Sequence, residues 1–276
     1  MHQDGLLALE FVAVDAARTA IADRLQRFPL RTTAATFPDD RNPGMPWVIL
    51  QNPTGGVFPG DRLEIRIAAN ERARAHVRNQ SATKVYGGDG DPAEQLVKIV
   101  AAPDSFVEYF GDVLIPHAHS VFTQKLRVEL SCSSRVVCGE TLASGRVAHG
   151  ERFEFSSIRL GTDIWVDGRL ACSDVLEFKP SRRDPGLRGG FGKMNYLSTV
   201  IALLPDGDAE ALAAAADALL AEELGLAAGA TVLPSGAGVV VRAMSMTAEE
   251  ARRGVRTAWN VLRTNVVGAP LPARLS

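Results

Sequence analysis

Two histidines, His117 and His119, stand two residues apart in the segment "IPHAHS". On an extended segment, side chains two apart share a face about 7 Å from each other at the Cα atoms. That spacing suits two imidazole ligands of one borderline metal ion such as nickel, and the upstream acids Glu108 and Asp112 could add oxygens. The competing interpretation is that both histidines are exposed polar residues at a strand edge.

Two acids, Asp61 and Glu140, are candidates for buried carboxylates. A protein that passes a hydrated divalent cation needs an acid-lined polar route, because removing water without replacement oxygens is costly. Glu140, Glu151 and Asp174 lie in or beside predicted strands, where an inward acid costs free energy unless it is hydrated. Alternatively, each acid pairs with an arginine such as Arg146 and stabilises a turn. The sequence leaves both interpretations open.

The thiols and the other histidines have simpler interpretations. Cys132, Cys138 and Cys172 could bind nickel or zinc as thiolates, but buried, unreactive cysteines are the commoner outcome. Their odd number and the absence of a CxxC pair fit a reducing cytoplasm better than a disulfide framework. His76 and His149 are isolated histidines, for which we expect local hydrogen bonds.

Hydrolytic chemistry has little support in the sequence. Neither a GxSxG nor an HExxH motif occurs, and residues 179–276, which include Ser235, contain no histidine. A metal-dependent hydrolase built on His117 and His119 is a less favoured alternative. A β-rich module that binds a carbohydrate or a peptide is another, although aromatic residues make up only 6% of the chain.

The elements that must position these residues differ between the two parts of the chain. Residues 1–178 predict an all-β body, antiparallel or stacked, because "RLEIRIA", "KLRVEL" and "RFEFSSIRL" alternate apolar with polar residues. Asp167-Gly168 in "IWVDGRLAC" predicts a hairpin. Residues 179–195, rich in glycine and arginine, predict a long mobile loop that could order when a partner docks.

Residues 196–276 predict a strand, a helix, a hairpin and a second helix, packed on the same core as one structural domain. The strand is "YLSTVIALL", and the first helix runs from about 208 to 224 before Gly225. "TVLPSGAGVVVRAMS" predicts the hairpin. Thr247 and Glu250 form a capping box for the last helix, which ends at Gly268.

Composition excludes two classes of function. The formal net charge of the 276 residues is −2 and no basic block occurs, so no nucleic acid is expected as a partner. The most apolar stretch, from Glu210 to Ala228, is mostly alanine and carries acids, which argues against a membrane span. The N-terminus lacks the basic start of a signal peptide. We therefore expect a cytoplasmic globular protein.

The stretch "NPTGGVFPGD", residues 52–61, has two glycines at the spacing of a phosphate-binding loop but lacks the other features of such a loop. Its second spaced glycine, Gly60, is followed by Asp61 rather than by Lys and Ser/Thr, and a strand follows instead of a helix. A glycine turn between strands is the alternative.

Taken in order with later segments, this stretch nevertheless resembles the urease accessory protein UreD family, also called UreH. The segments are "NPTGGVFPGDRL", "ARAHVRNQSATKVYGG", "EYFGDVLIPHAHSVFTQKLRVEL", "GETLASGRVAHGERF", "LACSDVLEF", "LPSGAGVVVRAMS" and "AWNVLRTNVVG". The resemblance runs from about residue 7 to about residue 270, and "IPHAHS" departs from it. The residues that carry the family pattern are Asn52, Gly55, Gly56, Gly60, Asp61, Lys84, Tyr86, Glu108, Pro116, Gly145, Arg146, Gly150 and Glu151.

The resemblance implies a non-enzymatic scaffold for urease maturation. It implies a mainly β fold: a stacked, β-helix-like body of strands with a small α/β C-terminal part containing two helices. The implied partners are the urease apoprotein, UreF and, through UreF, the GTPase UreG, with a possible homodimer through the UreF complex. No cofactor is expected to be permanently bound, and nickel would pass transiently along a path including His117, His119, Asp61 and Glu140.

The expected partner-binding residues lie in the glycine- and arginine-rich loop and in the last helix. Trp259 in that helix either packs inward, which its apolar stripe favours, or faces UreF. The full set of partner-binding candidates is Arg182, Arg183, Arg188, Trp259 and Arg263.

Overall fold

The computed structural model describes residues 2–187, 189–224 and 227–272 of the chain. The strands, in chain order, are β1 (Asp4–Ala13), β2 (Thr19–Arg27), β3 (Arg31–Thr32), β4 (Trp47–Gln51), β5 (Arg62–Ala69), β6 (Arg74–Asn79), β7 (Thr83–Val85), β8 (Ala93–Ala101), β9 (Phe106–Pro116), β10 (Val121–Leu130), β11 (Arg135–Ala143), β12 (Ser157–Val166), β13 (Arg169–Phe178), β14 (Tyr196–Leu203), β15 (Ala227–Val232) and β16 (Gly238–Ser245). The α-helices are α1 (Ala209–Leu224) and α2 (Ala248–Val267), and short 3-10 turns span Val147–His149 and Pro234–Gly236.

Two sheets stack to form the body. Sheet A has the strand order β13-β12-β10-β8-β5-β1-β2, and sheet B has the order β15-β16-β14-β11-β9-β6-β4-β3, with β7 paired to β9. The inner strands of both sheets pair in parallel. From β8 to β12, successive strands alternate between the sheets, so the chain reaches each parallel neighbour by crossing the opposite sheet rather than through a helix. The predicted stacked, β-helix-like body is confirmed. Antiparallel pairs occur at both edges of each sheet, and in sheet B they extend inward from β15 through β16 and β14 to β11.

The alternating sequence pattern explains the interior of the body. Leu63, Ile65 and Ile67 of β5 are each at most 3% exposed, while the intervening residues of that strand point outward. The inward residues of both sheets form one apolar core between them. The hairpin predicted at Asp167-Gly168 is confirmed, since it joins β12 and β13 in antiparallel pairing.

A second core lies on the outer face of sheet B, where the two C-terminal helices pack. Ala213, Ala216 and Leu220 of α1 and Leu262 of α2 are buried there against strands of sheet B. The alanines allow the helix a close approach to the sheet. The predicted order of strand, helix, hairpin and helix is confirmed, but the predicted stop at Gly225 lies outside the described residues. No described helix is long and apolar enough to cross a membrane.

The prediction of a strand through "RFEFSSIRL" is wrong at its start. β12 begins only at Ser157, and Phe153 has a left-handed backbone with φ of 58°. Phe153 makes edge-to-face contacts with Phe155 and Phe191, at ring-centroid distances of 6.2 and 5.0 Å. The aromatic residues therefore alternate because they pack on a neighbouring loop, and not because they pair in a sheet.

That neighbouring loop, residues 179–195, has neither strand nor α-helix in its described part. Phe191 is only 3% exposed, and the Arg152 guanidinium donates hydrogen bonds to the Met194 carbonyl at 2.9 Å and to Asn195 Oδ1 at 3.0 Å. The loop is thus fastened to the body at its C-terminal half. Its mobility stays a prediction.

The N-terminus of α2 has the predicted capping box. Thr247 Oγ1 accepts a hydrogen bond from Glu250 N at 3.2 Å, and the Glu250 carboxylate accepts from Thr247 N at 3.0 Å. Replacing Thr247 by alanine is expected to lower the free energy of unfolding by about 1 kcal/mol, because an orphan amide of the first turn loses its acceptor. Urea unfolding measures this. Thr264→Ala, on the exposed end of the same helix, is the control and should change stability by less than about 0.5 kcal/mol; an equal loss in both variants would contradict the capping role.

Candidate functional site

Most residues of the family pattern lie at one end of the body, which we call the loop end. Here the strands of sheet B finish and those of sheet A begin, so the connecting loops 52–61, 86–92, 117–120 and 144–156 meet. Backbone hydrogen bonds tie the loops to each other, as between Gly60 N and the Asp91 carbonyl at 2.7 Å and between His119 N and the Glu154 carbonyl at 2.9 Å. The sequence pattern therefore marks a single structural region.

The glycine turn is built by two polar side chains. Asn52 Nδ2 donates to the Gly56 carbonyl at 2.8 Å, and Asn52 Oδ1 accepts from Thr54 N at 3.1 Å. The fully buried Asp61 carboxylate accepts from Gln3 N at 2.8 Å and from Phe58 N at 2.9 Å. Asp61 thus fastens this turn to the N-terminal segment. Its proposed place on a nickel path stays a prediction.

Tyr86 and Lys84 cover the turn from the neighbouring strand. The Lys84 carbonyl accepts from Val57 N at 2.8 Å, and a Cβ on Gly56 would come within 2.6 Å of that carbonyl oxygen, so only glycine fits. The Tyr86 ring stacks on Phe58 and meets the His117 ring edge-on, each at a centroid distance of 4.6 Å.

The prediction that His117 and His119 lie on an extended segment is wrong. β9 ends at Pro116, and residues 117–120 form a turn in which His119 has φ of 63° and Ser120 N donates to the His117 carbonyl. His117 and His119 therefore do not share the face that an extended segment would give them. The same turn removes the geometric basis of the metal-dependent hydrolase.

Neither upstream acid joins the histidines as predicted. Glu108 is fully buried in the core beneath α2, and Asp112 lies in an irregularity of β9 with φ of 60°. Among the described residues, no group of three or more His, Cys, Asp or Glu side chains is arranged to hold a metal ion. Burial, and next the charge of Arg146, lower the pKa of His117. Its role toward nickel stays a prediction.

Arg146 and Glu151 form an ion pair that closes the last loop of the region. Arg146 Nε donates to Glu151 Oε2 at 2.7 Å, and a second guanidinium N–H donates to the other carboxylate oxygen. Gly145 has φ of 152°, and a Cβ there would lie 2.8 Å from the Glu151 carbonyl oxygen. Gly150 ends the short 3-10 turn with φ of 79°. For Glu151, the interpretation as an arginine-paired acid that stabilises a turn is confirmed.

Glu140 lies at a β-bulge in sheet B. Along the β9–β11 pairing, Gly139 lies opposite Phe110 and Thr141 opposite Val113, so Glu140 alone faces the two residues Gly111 and Asp112. This bulge interrupts the ladder. The half-buried residue Glu140 lines an outer cavity of about 270 Å³ beneath α2 and also an inner cavity of about 30 Å³ between the sheets. We call this bulge, with the cavity on either side of it, the Glu140 window.

Polar side chains continue from the window into the interior. Gln124 of β10 donates through Nε2 to the Glu140 carboxylate, and its Oε1 accepts from Gln95 Nε2 of β8 at 2.9 Å. Both glutamines are 8% exposed and occupy inward positions of sheet A. Burial raises the pKa of the Glu140 carboxyl. A chain of amides therefore leads from the window across the core.

Cys138 lies beside the window, and its reactivity tests the burial of this region. Burial, followed by the nearby Glu140 charge, raises the pKa of the Cys138 thiol to about 12. Cys132 is exposed, while Cys172 is buried with a raised pKa. A thiol-specific disulfide reagent at pH 8 is expected to modify one thiol in the native chain and three after denaturation. Cys132→Ser should abolish the native reaction, and rapid modification of two or more native thiols would contradict the structure.

A buried charge cluster, which we call the α2 anchor, holds the last helix on sheet B. Its members are Asp39, His76, Glu108, Trp259 and Arg263. Glu108 Oε1 accepts from Trp259 Nε1 at 2.7 Å and lies 3.0 Å from Arg263 Nε, while Glu108 Oε2 lies 3.1 Å from His76 Nδ1. Arg263 also donates to the Asp39 carboxylate and to the Pro270 carbonyl.

The α2 anchor contains two of the predicted partner-binding residues, Arg263 and Trp259. The prediction for Arg263 is wrong. Arg263 is 0% exposed, so it has no surface with which to contact a partner. Trp259 packs inward as its apolar stripe favoured; it is 7% exposed, and only that small part reaches the outer cavity. Arg182 and Arg183 are exposed and their role stays a prediction, whereas Arg188 lies outside the described residues. His76 is hydrogen-bonded as expected, although its partner Glu108 is distant in sequence. Burial lowers the pKa of His76.

Sequence comparison places these features among known proteins. A family model described as UreD urease accessory protein matches residues 3–275. The urease accessory protein UreD of Mycolicibacterium gilvum is 34% identical over 251 residues, covering 91% of this chain and 90% of the relative. The UreD of Haloarcula marismortui is 33% identical over 275 residues, and that of Natronomonas pharaonis is 30% identical over 271 residues. Each comparison covers 98% of this chain and 90% of the relative.

Proposed function

Because the chain belongs to the UreD family of urease accessory proteins, whose role is in urease maturation, we propose that it is a non-catalytic scaffold that passes nickel ions to the urease apoprotein. In this proposal it acts in the cytoplasm, in a complex with UreF and, through UreF, with the GTPase UreG. Nickel is cargo and not a resident cofactor. Two copies of the chain would be held together only through the UreF complex.

The Glu140 window is the observation that supports nickel passage most strongly. A divalent ion that leaves water needs replacement oxygens, because desolvation of a charge without compensation costs many kcal/mol. Glu140 offers a carboxyl group, and it is a residue that lines both the outer and the inner cavity. In this proposal an ion held by Glu140 arrives from the outer cavity and leaves by the inner one.

The amide chain behind the window supports the same direction of travel. Gln124 and Gln95 occupy positions where the strand pattern would otherwise place apolar side chains. Their carbonyl oxygens are neutral ligands that bind a divalent ion more weakly than carboxylates do. Weak, successive oxygen contacts suit transfer better than storage.

Co-expression of urease with its accessory proteins, with and without this chain, tests the proposal. We expect urease made without the chain to contain little nickel and to have little activity, partly restored by excess nickel. Full nickel content without the chain would contradict the proposal. Turnover of a simple ester or amide by the purified chain would contradict its non-catalytic part.

A further inference from the structure

Three arginines with no carboxylate partner surround the outer cavity. Arg78 lies at the end of β6, and Arg252 and Arg256 lie one turn apart on the same face of α2. Within the described part of the chain, no carboxylate lies within 4.0 Å of any of the three guanidinium groups. Other strand arginines in the described part of the chain, among them Arg62 and Arg169, also have no carboxylate within this distance, so what distinguishes these three is that they line one cavity.

The floor of the same cavity is apolar. Phe110 and Trp259 pack against each other at a centroid distance of 4.2 Å, and Val113 and Val255 complete the floor. An apolar floor with aromatic residues and a rim of arginines is the composition of protein-binding hot spots. The volume of about 270 Å³ accommodates one large side chain.

We propose that the outer cavity is the docking site for an acidic segment of a partner protein, with one apolar side chain of that segment on the floor and its carboxylates on the arginines. This inference rests on the proposed function, and names the chemistry of the partner and its effect. The three arginines outnumber the two acids that line the same cavity, Asp112 and Glu140, so its lining has an excess of positive charge that disfavours entry of a divalent cation. An acidic segment that neutralises the arginines would allow nickel to approach Glu140 only when the partner is bound.

Calorimetry with a short peptide tests the docking site without urease. The probe is acetyl-Glu-Glu-Phe-Glu-Glu-amide, and the full chain is used as wild type and as Arg252→Glu/Arg256→Glu. We expect the peptide to bind the wild type, and to bind the double variant at least about tenfold more weakly, because two ion pairs become repulsive contacts. The same peptide with alanine in place of phenylalanine should bind the wild type more weakly.

A matched variant controls for net charge. Arg169→Glu/Arg253→Glu makes the same charge change at two exposed arginines outside the cavity, one of them on α2, and should bind the peptide within about twofold of the wild type. Circular dichroism must show all variants folded. No binding to the wild type, equal binding to the cavity variant, or equal weakening in the matched variant would each overturn the docking site. None of these results depends on urease maturation, so the proposed function stands or fails separately in the co-expression assay.

Discussion

Replacing Arg263 by methionine is expected to lower the free energy of unfolding by about 3–5 kcal/mol, the cost of removing one partner from a buried ion pair. Methionine keeps most of the length of the side chain but leaves the Asp39 and Glu108 carboxylates buried without their shared cation. It also removes the donor to the Pro270 carbonyl. Urea unfolding followed by tryptophan fluorescence measures the loss.

The pH dependence of the free energy of unfolding of Arg263→Met distinguishes a loss of charge interactions from a loss of packing. Burial by itself would raise the pKa of Asp39, but the hydrogen bond and charge of Arg263 outweigh it and hold the pKa below its ordinary value. A depressed carboxyl pKa contributes stability at neutral pH that is lost on acidification. In Arg263→Met the Asp39 carboxyl loses the cation that stabilises its charged form, so this pH-dependent contribution is missing from the variant. The stability gap to the wild type should therefore narrow as the pH falls below about 4.

Arg253→Met is the control for this experiment. Arg253 lies on the same helix but is exposed, and its replacement should change stability by less than about 0.5 kcal/mol. A similar small loss in Arg263→Met, or a gap that does not change with pH, would mean that the α2 anchor is held by apolar packing rather than by its charges.

Glu140→Gln is expected to reduce the nickel delivered to urease by about tenfold or more while leaving the scaffold folded. Side chains that only support a metal ligand already change metal affinity or activity by about 10–100-fold when replaced. Glutamine keeps the shape of the side chain and an oxygen that can accept from Gln124 Nε2. Nickel per urease after co-expression is the measurement.

The free energy of unfolding of Glu140→Gln and a second variant, Glu94→Gln, show whether misfolding explains a loss of nickel delivery. Burial raises the pKa of the Glu140 carboxyl, so folding disfavours its charged form, and the stability linked to this group is lost as the pH rises through its folded pKa. At pH 7, Glu140→Gln should thus be at least as stable as the wild type. Glu94→Gln, on the exposed face of β8, should deliver nickel normally. Normal delivery by Glu140→Gln would remove the window from the route.

Much of the fold follows from local patterns in the sequence. The period-two alternation predicts the strands, Asp167-Gly168 predicts the β12–β13 hairpin, and the capping box predicts the start of α2. These features depend on neighbours in sequence, and the structure confirms them. The strand predicted through Phe153 is wrong because the alternation there comes from packing on a loop that is distant in sequence.

The site was less predictable because its geometry depends on pairing between strands. Glu140 was a candidate, but the bulge that opens sheet B beside it arises from the register of β9 against β11. Arg263 was expected at a surface, since nothing near it in sequence indicates Asp39 as its partner. The sequence does contain one signal of the polar interior: Gln95 and Gln124 each occupy an inward position in an otherwise apolar series. Polar residues at such positions mark an interior that is not purely apolar.

The most direct test of whether nickel passes through this chain is the amount of nickel bound per urease. It is compared between a variant that fills the Glu140 window and one that does not. A Cβ on Gly111 would lie 3.7 Å from Glu140 Cβ, an ordinary contact, so Gly111→Ala should fold and deliver nickel as the wild type does. The larger side chain of Gly111→Leu would fill the window. If Gly111→Leu remains folded and keeps its partners, we expect urease with little nickel. Full loading by that variant would show that nickel does not pass through the opening beside Glu140.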